Sequence, residues 1–265
     1  MKKIFALLLV LSMVFAFAAC AGNDKNGTTT TAATTTAATT TVPTTAPTTT
    51  PTTGPDDVKV LTYAEYAAIE VEPGDLVPVV IEFYVQATQS WWDNKITVYG
   101  QDADGGYFAY EMTCSEEDAA KLVPGTKIRV TGNKTVWDGE YEIASGSTFE
   151  FVEGADSFIA EAFDATALLG TDELIQHQNK KVAFKGLTIK EITYKNGEPG
   201  DDIYVTVTLN DKDYSFCVER YLTGPETDVY TAFATLTAGD VVDIEGFLYW
   251  YQGPNPHITA VAAAN

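Results

Sequence analysis

Leu122-Val123-Pro124-Gly125-Thr126-Lys127-Ile128-Arg129-Val130-Thr131-Gly132 returns, 114 residues further on, as Leu236-Thr237-Ala238-Gly239-Asp240-Val241-Val242-Asp243-Ile244-Glu245-Gly246. Both stretches read as the end of a helix, a glycine turn, a strand of period two and a closing glycine. Each is followed by a tryptophan, Trp137 and Trp250, and then by a glycine, Gly139 and Gly253. A shared pattern with a shared sequel divides the chain into two similar domains, residues 58–153 and 154–265.

The flanking segments extend the repeat. In the first half, Val79, Ile81, Phe83 and Val85 alternate with Val80, Glu82, Tyr84 and Gln86. Ile96 and Val98 alternate with Thr97 and Tyr99, and Phe108, Tyr110 and Met112 with Tyr107, Ala109 and Glu111. Asp102-Ala103-Asp104-Gly105-Gly106 is a turn composition. Ser115-Glu116-Glu117-Asp118 opens a short helix with a serine cap and an acidic first turn, which suits the helix dipole. Strand four spans Thr126–Thr131 and strand five begins near Tyr141. The second half repeats the order, with strands over 182–192, 202–209, 214–218, 241–246 and 257–261 and a helix over about 226–236.

Three strands, a helix and two strands, twice over, resemble the OB-fold, a five-stranded Greek-key barrel. The expected fold class is all-β with short helices: two tandem barrels. The first half also resembles surface lipoproteins of gut Firmicutes through Thr62-Tyr63-Ala64-Glu65-Tyr66 and Ser90-Trp91-Trp92-Asp93-Asn94-Lys95. That resemblance carries no activity.

The N-terminus points to the same setting. Lys2 and Lys3 precede an apolar run from Ile4 to Ala19 interrupted only by Ser12. As a helix it rises about 24 Å, too short for a stable span, so residues 1–19 read as a secretory signal peptide. Phe17-Ala18-Ala19-Cys20 resembles the lipobox of bacterial lipoproteins, with Phe17 where that family usually has Leu. The resemblance makes Cys20 the lipidated mature N-terminus, and the chain a membrane-anchored extracytoplasmic protein. Residues 20–57 follow as a tether: between Thr28 and Thr53, 17 of 26 residues are Thr. With no large apolar side chains to offset ordering entropy, it is expected to be disordered. Its prolines bias it towards an extended form of roughly 80 Å, a spacer suited to a Gram-positive-type envelope.

Composition narrows the function. The 265 residues carry 16 Lys and Arg against 37 Asp and Glu, a net charge of −21. Such a balance opposes nucleic-acid binding, which draws most of its affinity from basic side chains neutralising phosphates. Three cysteines and two histidines leave no set for zinc, and no nucleophile elbow or phosphate-cradling glycine loop occurs. Asp102, Asp104, Asp201 and Asp202 read as turn residues rather than a calcium loop. Cys114 and Cys217 read as free packed thiols. The chain is therefore expected to be a non-enzymatic binding or scaffold protein, without metal or cofactor.

OB-folds bind ligands on the outer face of strands two and three, between the loops joining strands one to two and four to five. Here those loops span about 88–95, with Trp91 and Trp92, and 133–140, with Trp137. Tyr99 and Tyr107 have the outward parity on the strands between. These five aromatics form the candidate site, suited to stacking on a sugar or anchoring a protein. Asp93, Asp138 and Glu140 around them disfavour phosphates. The second domain is the poorer candidate and is read as a support. The alternatives are single-stranded nucleic acid, favoured by fold analogy alone, and an accessory module of an extracellular hydrolase.

Overall fold

The computed structural model describes residues 59–264. The expected signal peptide, Cys20 and the expected tether lie outside them. In the first half, β1 (Val77–Thr88), β2 (Lys95–Gln101), β3 (Gly106–Thr113), β4 (Lys127–Trp137), β5 (Glu140–Ile143) and β6 (Thr148–Phe151) pair in the order β1-β2-β3-β5-β4-β6. Pairing of β1 with β4, from Val77↔Lys134 to Tyr84↔Lys127, closes the barrel. The second half, β7 (Phe163–Asp164), β8 (Lys181–Tyr194), β9 (Ile203–Leu209), β10 (Lys212–Val218), β11 (Val241–Phe247) and β12 (His257–Ala263), gives β11-β12-β10-β9-β8-β7 and closes through β11–β8. Stripped of β6 and β7, both halves have the OB order, with α2 (Glu116–Ala119) or α3 (Asp228–Phe233) between the third and fourth strands. The chain is a tandem pair of Greek-key barrels.

The repeated motif does equivalent work in each half. Gly125 and Gly239 both turn at positive φ, +90° and +98°, and their N–H groups donate to Val85 and Ile189, the equivalent residues of the first strands. The inward side chains then alternate: Ile128 and Val130 in one core, Val242 and Ile244 in the other, all essentially inaccessible to solvent. Helix α2 begins at Ser115, whose hydroxyl accepts from the Asp118 N–H. An unforeseen helix, α1 (Tyr63–Ala67), opens with a full Thr62–Glu65 capping box and drops Tyr66 into the first core. The amino group of Lys134 closes its far end by donating to the carbonyls of Tyr66 (2.9 Å) and Ile69 (2.8 Å). Burial pulls that amine down to about 8.

Strand β6 continues the line of β5 along the same edge of β4, after a break at residues 144–147. A β-bulge in β3 lies beside that break. Ile96 pairs with Met112 but Val98 pairs with Ala109, so one residue too many sits on β3, and Glu111 takes φ +43°. Its N–H donates to Thr97 Oγ1, its carboxylate takes Lys95 Nζ at 3.0 Å, and its carbonyl accepts from Gly146.

The two barrels are tightly joined. Gly106 of β3 lies against the second half so closely that a Cβ there would fall 2.2 Å from the Asn179 carbonyl carbon. Lys181 N–H donates to Gln101 Oε1, Asn179 Nδ2 to the Tyr141 carbonyl, and Gln252 N–H to the Asp138 carbonyl. Glu140, fully buried, accepts from the Trp250 N–H (2.8 Å) and Gln178 Nε2 (3.2 Å), and burial pushes its carboxyl well above the usual range. Between the polar contacts lies a small third core of Tyr99, Phe108 and Phe247. The second barrel is thus half of a joint rather than a separate support.

Candidate functional site

Trp92 and Trp137 stand on matching turns. Trp92 pairs with Lys95 around Asp93 (φ +46°) and Asn94 (φ +58°), and Trp137 pairs with Glu140 around Asp138 (φ +49°) and Gly139 (φ +96°). Two consecutive residues at positive φ make the tight hairpin turns that Asx and Gly residues favour. Each indole therefore stands beside a rigid two-residue turn and not on the longer loop that the sequence implied. Trp92 is 52% exposed and Trp137 51%. Lys95 Nζ lies 5.3 Å from the Trp92 ring centre, and Tyr251 packs at 5.3 Å against Trp137.

Both indoles open onto one cleft of about 620 Å³, whose walls come from both barrels. The first barrel contributes Thr97, Phe108 and Tyr110 from β2 and β3 and Glu142 from β5. The second contributes Glu219, Tyr221, Tyr249 and His257. The face that the OB-fold uses for ligands is therefore present, roofed along one side by the neighbouring barrel.

Three of the five expected aromatics have other positions. Tyr107 is 1% exposed, points into the first barrel, stacks on Phe83 at 5.1 Å and donates its hydroxyl to Asp102 Oδ2. The Glu111 bulge is the cause: one extra residue reverses the side of every earlier residue in β3, sending Tyr107 inward and Phe108 and Tyr110 out to the cleft. Tyr99 has the outward direction expected of it, yet is 1% exposed because Phe247 stacks over it at 4.7 Å. Its hydroxyl accepts from Gln89 Nε2 and lies 2.6 Å from His257 Nδ1. Burial pulls His257 down to about 3, so the imidazole is neutral. Trp91 is half-buried on the first core, with its Nε1–H donating to the Cys114 carbonyl at 2.9 Å. Trp92 and Trp137 remain of the original set; Phe108, Tyr110, Tyr221 and Tyr249 join them.

The cleft is acidic. Glu142 is 8% exposed, lines the cleft and receives no hydrogen bond from the described residues; desolvation lifts its carboxyl to about 7. Glu219 accepts from the Leu222 N–H at 2.8 Å and is also raised by burial to about 7. Glu111 is held by Lys95. The one lysine of the cleft wall, Lys195, lies 2.8 Å from Asp202 and is raised by that contact to about 12. Cys114 and Cys217 are buried free thiols in separate barrels.

No protein-family model and no curated protein sequence matches the chain. Among solved structures it is similar to the p204 HINb domain (12% identity, TM-score 0.34, covering 72% of this chain and 98% of that one). A murine DNA-binding protein bound to double-stranded DNA gives 13% identity and TM-score 0.35, with 71% and 97% covered. The tetrameric p202 HIN2 gives 12% and 0.32, with 74% and 99% covered. The strand order and closure described above define the fold independently of these overlaps.

Proposed function

We propose that this chain is a lipid-anchored, non-enzymatic binding protein of the bacterial cell surface, and that the cleft between its barrels is a glycan site. The observation that carries the reading is the placement of Trp92 and Trp137 on two rigid hairpins opening onto one cleft whose walls add Phe108, Tyr110, Tyr221 and Tyr249. Flat rings of this kind stack on the apolar faces of sugar rings, while Thr97, Gln89 and the glutamates meet hydroxyl groups. The volume is that of a small-molecule site.

Nucleic acid is the competing reading, since one of the similar structures is of a DNA-binding protein with its duplex. The chemistry of the cleft opposes it. The wall carries Glu111, Glu142 and Glu219 against a single lysine already engaged by Asp202, whereas phosphate binding needs free cations. A glycan array with the purified protein, run beside a duplex and single-strand DNA shift assay at low salt, separates the two. Glycan retention without a DNA shift is expected. A DNA shift with no glycan retained would defeat the proposal. Trp92→Ala should weaken glycan binding at least tenfold with the melting temperature within 2 °C of the parent, about what losing one stacking platform implies.

The anchor is tested separately. Cys20→Ser should abolish incorporation of labelled palmitate and release the protein from the membrane fraction. Unchanged labelling would remove the lipoprotein assignment and leave the cleft untouched.

A further inference from the structure

The charge balance of the cleft is uneven in a way that a neutral sugar does not use. Glu111 has its counter-charge in Lys95, and Lys195 has its own in Asp202. His257 is neutral and already engaged by Tyr99. Among the described residues, two carboxylates of the wall, Glu142 and Glu219, form no ion pair. Glu142 is more than nine-tenths buried, reaches the cleft and meets no hydrogen-bond donor among the described residues. Glu219 is held by the backbone N–H groups of Tyr221 and Leu222. A buried carboxylate with no partner is costly, and a protein that only needed to fold could have placed an amide or an apolar residue there. Trp92, Trp137, Tyr110 and Tyr249 line the same cleft as the two acids. Acids backed by aromatic faces favour a cation, because the carboxylate supplies the counter-charge and the ring quadrupole adds to it.

Resting on the glycan reading above, we propose that the ligand is an amino sugar bearing a free, protonated amino group, with the ammonium seated on Glu142 and Glu219 and the ring stacked on Trp92 or Trp137. The raised carboxyls fit this arrangement: only desolvation acts on Glu142, and on Glu219 burial outweighs the pull of Lys195.

The test compares two probes on the intact protein by calorimetric titration at pH 6: a tetrasaccharide of β-1,4-linked N-acetylglucosamine and its fully de-N-acetylated counterpart. The de-N-acetylated probe should bind at least tenfold tighter. Glu142→Gln and Glu219→Gln, which keep the side-chain shape, should each cut that preference to threefold or less. Glu153→Gln, a change outside the cleft, should leave it as it was. Equal binding of the two probes would overturn the charge inference and keep the glycan reading. A preference that survives both cleft variants would also overturn it, by assigning the attraction to the overall charge of −21. If neither tetrasaccharide binds while oligolysine does, both the glycan reading and this inference fail, and the cleft takes a basic peptide.

Discussion

Glu142 shows how one side chain links stability to pH. Its carboxyl is raised from 4.5 to about 7 by desolvation. A carboxyl whose folded pKa exceeds its unfolded one binds protons more readily in the folded chain. Its stabilising contribution is therefore full below about pH 4.5 and is lost as pH climbs through about 7. Glu142→Gln removes this dependence. Urea unfolding at pH 8 should find the variant more stable than the parent by about 2–3 kcal/mol, with little difference at pH 4.5. An equal or lower stability at pH 8 would mean that the carboxylate has a donor in solution. Gly100 is constrained by packing instead. A Cβ there would lie 2.2 Å from the Phe83 ring, the same ring on which Tyr107 stacks. The glycine thus makes room for the inward tyrosine that an outward reading of β3 had placed in the site.

At the scale of the element, β3 decides which aromatics the cleft receives. With Glu111 as the extra residue, Tyr107, Ala109 and Met112 enter the core, while Phe108 and Tyr110 face the cleft. Deleting Glu111 would remove the extra residue and restore strict alternation with Tyr107, Ala109 and Met112 still inward and Phe108 and Tyr110 still facing the cleft. Such a deletion should change stability by no more than about 1–2 kcal/mol, through loss of the bulge and of the Lys95 contact, and leave glycan binding in place, as read by thermal melting and titration. Glu111→Gly keeps the bulge. Relief of the positive φ offsets loss of the Lys95 contact, and the melting free energy should stay within about 1 kcal/mol of the parent. The two hairpins have a simpler basis. Asp93-Asn94 and Asp138-Gly139 are residue types that accept positive φ, so the turns under Trp92 and Trp137 follow from local chemistry.

For the whole molecule, the joint between the barrels matters more than either barrel alone. Gly106 sets how close they come, and a methyl group there cannot fit beside the Asn179 backbone. Gly106→Ala should open the joint, expose the third core of Tyr99, Phe108 and Phe247, and cost about 1–3 kcal/mol. Calorimetry should then resolve two transitions where the parent gives one, and glycan affinity should fall even though no cleft residue has changed. A single transition at the parent temperature would show that the halves do not fold as one unit through this contact.

The amino-acid sequence by itself determined the two barrels, because their signals are local. Glycine turns at Gly125 and Gly239, alternation through Ile128 and Val130, and the cap at Ser115 each act within a few residues. Repetition of those signals made the tandem order legible, whereas the tight turns beside Trp92 and Trp137 read as longer loops. Only the tertiary structure decided the cleft. A bulge is a property of the pairing between two strands, so the alternation of β3 alone could not show that Tyr107 turns in and Phe108 turns out. The covering of Tyr99 and the use of Glu142, Glu219 and Tyr249 depend on which face the second barrel meets. That choice comes from residues far apart in the chain, such as Gly106 against Asn179 and Glu140 against Trp250. Contacts of that separation leave no periodicity in a sequence; they exist only once both barrels have closed.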